Sequence, residues 1–126
     1  MLLLDTAILV DYVRQKAEAV AFVQKRTKAE LALSPIVVME LYQGARNRLE
    51  LQRIKRDLNG FFLLDLTKEV ADTAVRVYET YVLSHGLSIP DAFVAATALV
   101  FDLELRTYNL KDFRFIPNLR VSDSLD

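Results

Sequence analysis

Short, uninterrupted apolar runs alternate along this chain with segments of helical spacing, and that alternation restricts the fold more than any other feature. Leu2-Leu3-Leu4, closed by Asp5, has no polar residue to turn toward water, so as a strand it must be covered on both faces. Leu31-Ala32-Leu33 and Phe61-Phe62-Leu63-Leu64 read the same way, and residues 103–107 and 119–121 complete a set of five strands. Between them, residues 8–14, 18–28, 47–59 and 67–84 carry helical spacing. Two more helices are announced by their starts: Ser34 followed by Pro35 offers a capping hydroxyl and a proline at the first helical position, and Ser88-Ile89-Pro90-Asp91 repeats the device. Gly60 and Gly86 stand where helices should stop, residues 109–117 read as a loop, and the helix after Ser88 is apolar on nearly every side and should be buried. The pattern predicts an α/β fold, a three-layer α/β/α sandwich around a mostly parallel five-stranded sheet. Sites in such sheets lie at the carboxyl ends of strands, where strand order reverses. A chain of 126 residues is long enough for one core, so residues 1–126 should form a single domain.

Composition then limits the chemistry. With no cysteine and one histidine, His85, neither a thiolate nor an imidazole metal centre can be built, so any metal must be held by oxygen. Oxygen-only sites in enzymes acting on phosphates suit Mg²⁺ or Mn²⁺. The net charge of −1 supplies no global attraction for nucleic acid, which would have to use a local patch or a bound cation. The acid at position 5 interrupts the opening apolar run, and residues 92–101 reach only about half of the roughly 20 residues a membrane span needs. A cytoplasmic protein without a membrane segment is expected.

Four acids stand out. Glu40 lies within Ile36-Val37-Val38-Met39-Glu40-Leu41-Tyr42, where an unpaired carboxylate is costly, so it needs either a basic partner or a cation. Asp5 ends the first strand and could equally cap the helix that follows. Asp91 sits three residues after Ser88, a capping-box spacing, and Asp112 lies in a loop between Lys111 and Phe113 where a solvated acid is ordinary. Asp65 also closes an apolar run. Arg46, Arg48 and Arg53, with Lys55 and Arg56, could touch RNA phosphates, although the interspersed Glu50 and Asp57 read more simply as a solvated helix face. His85, beside Gly86, should meet the last carbonyls of its helix.

Taken together, the acids carry a resemblance. Asp5-Thr6 after the first strand, Glu40-Leu41-Tyr42 with Gly44-Ala45, Asp91 heading Ala92-Phe93-Val94-Ala95-Ala96-Thr97-Ala98, and Thr107-Tyr108-Asn109-Leu110-Lys111-Asp112-Phe113 occur in order over nearly the whole chain. This arrangement resembles the PIN-domain ribonucleases, in particular the VapC-type toxins of toxin-antitoxin systems. The resemblance implies a sheet ordered 3-2-1-4-5 and metal-dependent cleavage of RNA. It implies convergence of Asp5, Glu40, Asp91 and Asp112 on Mg²⁺ or Mn²⁺, with Asp5 and Asp91 as first ligands. Thr6, Thr107 and Asn109 would hold the site in shape. It further implies a cognate VapB-type antitoxin and a homodimer. One departure is Ala7, where many relatives carry Asn or Ser.

Two other readings compete. A PIN-like module that binds RNA or protein without catalysis would have the same sequence pattern. A phosphoacceptor signalling domain would use Asp65 with Thr107 and Lys111, but the adjacent acids expected after its first strand are missing.

Overall fold

The computed structural model describes residues 1–126. Five strands, β1 (Leu2–Leu4), β2 (Leu31–Leu33), β3 (Phe62–Leu63), β4 (Glu104–Arg106) and β5 (Val121–Ser122), form one sheet in the order β3-β2-β1-β4-β5, every pair parallel. Six helices surround it: α1 (Thr6–Val13), α2 (Ala17–Gln24), α3 (Pro35–Gln43), α4 (Arg48–Asp57), α5 (Lys68–His85) and α6 (Ile89–Phe101). Neighbouring side chains of a strand point to opposite faces. Leu3 and Leu4 are both fully buried, as are Leu31 and Ala32, so helices cover both faces and the expected three-layer sandwich is present. The same residues anchor the main core together with Phe22, Val37, Leu105 and Phe113.

Helix starts follow the local chemistry read from the sequence. Asn47, Thr67 and Ser88 each accept a hydrogen bond from a backbone N–H in the first turn of α4, α5 and α6, and Ser34 does so for α3 ahead of Pro35. Gly86 closes α5 at φ 63, a left-handed conformation that a β-carbon disfavours.

Ends set by tertiary contact differ from expectation. The second helix stops at Gln24 instead of continuing to residue 28, and Lys28–Glu30 forms a separate 3₁₀ turn. No large apolar residue lies between Val23 and Leu31, so nothing would hold a continued helix to the core. The third strand shrinks to two residues because Phe61 still bonds back to the Leu58 carbonyl at the exit of α4. The last strand is displaced to Val121–Ser122 because Leu119 is engaged in a turn with Ile116. The loop 109–117 contains a 3₁₀ turn at Leu110–Asp112. In α6, burial holds from Val94 to Ala98, while Ile89 in its first turn is exposed. No helix is long and apolar enough to cross a membrane.

Candidate active site

The register Leu4 with Arg106 sets the ends of the two central strands side by side, and Asp5 falls next to Thr107. Asp5 is buried, and both of its carboxylate oxygens are used. Oδ1 accepts from the Thr6 backbone N–H at 2.8 Å, capping α1, and Oδ2 accepts from the Thr107 hydroxyl at 2.8 Å. Capping and site roles therefore coexist in this residue. Thr107 Oγ1 also accepts from the Asn109 backbone N–H, so the turn after β4 is fixed to the same carboxylate.

Glu40, half-buried on α3, accepts from the Thr6 hydroxyl at 2.8 Å. It has no basic partner, and neither Asp5, Asp91 nor Asp112 takes part in an ion pair. The arginine partner that would have explained Glu40 as an ordinary buried salt bridge is absent. Asp91 lies in the first turn of α6, its backbone N–H donating to Ser88 Oγ. Its carboxyl is pushed up from 3.8 to about 6, first by burial and then by the negative charges of Asp5, Asp112 and Glu40, with the Ser88 hydroxyl acting in the opposite direction. All four predicted acids thus share one electrostatic environment. Asp5, Glu40 and Asp91 line a common cleft of about 580 Å³ with Thr6, Ala7 and Asn109, while the exposed Asp112 stands on the 3₁₀ turn beside it.

Three polar residues of this cleft were not anticipated: Asp11, Lys16 and Tyr108. The Tyr108 hydroxyl donates to Asp11 Oδ2 at 3.0 Å, and Lys16 Nζ lies 3.5 Å from Asp11 Oδ1. Burial and the Asp11 carboxylate push the Tyr108 hydroxyl up to about 12, so it stays a donor throughout the working pH range. Asp11 follows Ala7 by one helical turn, the one signal that could have placed it on the same face.

Other expectations resolve differently. Asp65 is exposed beyond the edge strand β3, separated from β1 by β2, so the phosphoacceptor arrangement finds no support. Arg46 is paired with Glu50, and Arg53 donates to the Val13 carbonyl and lies near Asp57, as a solvated helix face would have it. Both line a second cleft that meets the first at Val10 and Glu40; Arg48 is exposed at the start of α4. His85 does not serve the last carbonyls of α5, which the Gly86 N–H caps through Val82. Its ring stacks on Phe115 with centroids 4.0 Å apart, because Tyr81 and Phe115 offer an aromatic surface there.

The donor set suits a hard divalent cation. Uncompensated carboxylates surround Asp91, yet no three acids stand close enough to close a coordination shell. One or two carboxylates with the remaining positions left to water is the usual manner of holding Mg²⁺.

A model of the PIN domain matches residues 2–116. The chain is similar to Ribonuclease VapC19 of Mycobacterium tuberculosis, 32% identical over 123 residues that cover 95% of this chain and 98% of that protein. Ribonuclease VapC10 of the same organism is 31% identical over 95% of this chain and 91% of its own length. Among solved structures, a toxin-antitoxin complex from Klebsiella pneumoniae contains a chain with a TM-score of 0.80 and 31% identity, covering 100% of this chain and 98% of that one.

Proposed function

Because the chain belongs to the PIN-domain family, in its VapC type, we propose that it is a metal-dependent endoribonuclease, the toxin of a toxin-antitoxin pair acting in the cytoplasm and silenced by a VapB-type antitoxin. The observation that carries this reading is that Asp5, Glu40 and Asp91 line one cleft where β1 ends, none of them with a basic partner, while Asp112 adds its charge to the field at Asp91. Like charges gathered in one cleft repel, and the partial burial of Asp91 strengthens that repulsion. A stability-driven sequence has no reason to assemble such a cluster, whereas a cation-dependent site requires one.

Asp5 and Asp91 would hold Mg²⁺ or Mn²⁺, with Glu40 and Asp112 contributing directly or through water. The cation would lower the pKa of a bound water and stabilise charge developing on phosphate oxygens. The protein's own contribution is positional. Thr107 fixes one oxygen of Asp5 and the α1 N-terminus fixes the other, so the carboxylate cannot rotate away. Thr6 sets the orientation of Glu40 from the residue next to Asp5, coupling α1 to α3. No nucleophilic side chain is needed.

A single experiment tests the reading. Purified protein should cut RNA with Mg²⁺ or Mn²⁺ and stop with EDTA, and Asp91→Asn should abolish cutting while the melting curve stays cooperative. Full activity in EDTA would refute the metal requirement, and absence of cleavage with either metal would leave the non-catalytic binding module as the better account.

A further inference from the structure

Tyr108 is an aromatic residue in an acidic cleft, and its surroundings determine what it can offer a ligand. It is 38% exposed and lines the same depression as Asp5, Glu40 and Asp91. Its hydroxyl is already committed to Asp11, so what remains available is the ring. The ring is also held in place. Its tether reaches α1 at one end, and at the other its backbone sits between Thr107, whose hydroxyl binds Asp5, and Asn109, whose N–H binds that same Thr107 hydroxyl. Lys16, the one basic residue lining this cleft, stands on the other side of Asp11.

A tether between α1 and the turn after β4 would explain the hydroxyl but not why so large an aromatic residue stays 38% exposed along the cleft that the acids line. From this geometry we infer that Tyr108 is a stacking platform for one unpaired base of an RNA substrate, flanking the phosphate that is cut, with Lys16 facing the adjoining backbone. The inference rests on the ribonuclease reading above and narrows it to single-stranded or looped-out RNA, because a base within a duplex keeps its faces covered by its neighbours. An aromatic ring already fixed by a hydrogen bond loses little freedom on binding, which favours stacking over a mobile contact. Stacking on an aromatic accepts any base, so the platform selects for an unpaired position more than for sequence.

The test compares wild type with Tyr108→Phe, Tyr108→Leu and Tyr108→Ala. Phe keeps the ring and loses the Asp11 bond, Leu keeps bulk without a π face, and Ala removes both. Two readouts are taken after melting curves have verified folding. One is steady-state cleavage of a short single-stranded RNA with Mn²⁺. The other is fluorescence of the same RNA carrying 2-aminopurine beside the cut position, bound to these variants in the Asp91→Asn background so that it stays intact. Wild type and Phe should both quench the probe, with KM raised in Phe only about two- to threefold by the lost Asp11 bond. Leu and Ala should lose the quench and raise KM about tenfold or more, in keeping with the usual worth of one stacked base, with kcat less affected. Equal losses in Phe and Ala would assign the residue to the tether and overturn the inference. So would an Ala variant with unchanged KM and quench, while wild-type cleavage would leave the ribonuclease reading intact. If wild type neither cut nor bound the RNA, the ribonuclease reading would fail and this inference with it.

Discussion

Asp91 is a carboxyl held in an unfavourable field, and its titration reports on its neighbours. Its pKa in the folded protein is about 6 against an ordinary 3.8. Between those values the folded protein binds more protons than the unfolded chain, so metal-free stability should fall as pH rises from about 4 to 6. One pKa unit corresponds to about 1.4 kcal/mol, and solvent screening at this half-buried site reduces the effect to roughly 1–2 kcal/mol. Chemical denaturation across that range with EDTA checks it, and stability rising with pH through the window would contradict the proposed crowding. Glu40→Gln should leave metal-free stability level or higher, since the amide oxygen still accepts from Thr6 while one repelling charge disappears. The same change should shrink stabilisation by Mn²⁺ and lower cleavage. A metal-independent loss of about 3–5 kcal/mol, as from a broken buried ion pair, would remove Glu40 from the site. Thr107→Val should cost about 1–3 kcal/mol by leaving a buried oxygen of Asp5 without its donor, and Thr107→Ser should restore most of it. Of these residues, Asp5, Glu40 and Asp91 stood out in the sequence because charge in apolar, strand-end or helix-cap surroundings asks for a reason, whereas Asp112, an ordinary loop acid by itself, joined them only through the family resemblance. Asp11 and Tyr108 did neither. Their bond joins positions 97 apart, and no local pattern announces such a pair.

At the scale of elements, legibility divides along the same line between local and distant causes. The starts of α4, α5 and α6 could be read from Asn47, Thr67 and Ser88 because a cap acts within three residues of itself. The ends of α2 and β3 and the position of β5 could not, since those depend on which core surface remains to be covered. The cap of α6 has a double duty that follows from its position. Ser88→Ala should destabilise the protein by about 1 kcal/mol, the usual cost of a lost N-cap. It should also raise the Asp91 pKa further, because the Ser88 hydroxyl is the group opposing the upward shift. Thermal melts measure the first effect, and carbon-detected NMR titration of the aspartates measures the second. A normal cap loss with an unmoved Asp91 would separate the helix end from the site. The His85–Phe115 stack belongs to this scale too, joining the end of α5 to the loop that carries Asp112.

For the molecule as a whole, metal and fold should be linked by mass action. A cation that binds only the assembled site stabilises by about 2.7 kcal/mol at a hundred times its Kd. Mn²⁺ should therefore raise the melting temperature of wild type and lose that effect in Asp5→Asn. An equal rise in both proteins would place the ion elsewhere. The overall architecture was legible because alternating buried strands and helices permit few arrangements. The strand order and the expected convergence of the acids both came with the family resemblance, and the assembled sheet sets Asp5, Glu40 and Asp91 along one cleft. That assembly has a consequence in time. Of the five strands β1 is made first, yet it pairs on one side with β4, and Asp5 finds Thr107 only across 102 residues of sequence. A growing polypeptide carries Asp5 and Glu40 long before, and Asp91 shortly before, the strand that sets Thr107 beside Asp5. Contacts so distant in sequence form late. A nascent chain synthesised only as far as α6 therefore holds three of the four acids and still lacks the hydroxyl that locks Asp5 in place, so the proposed site stays loose until β4 has left the ribosome.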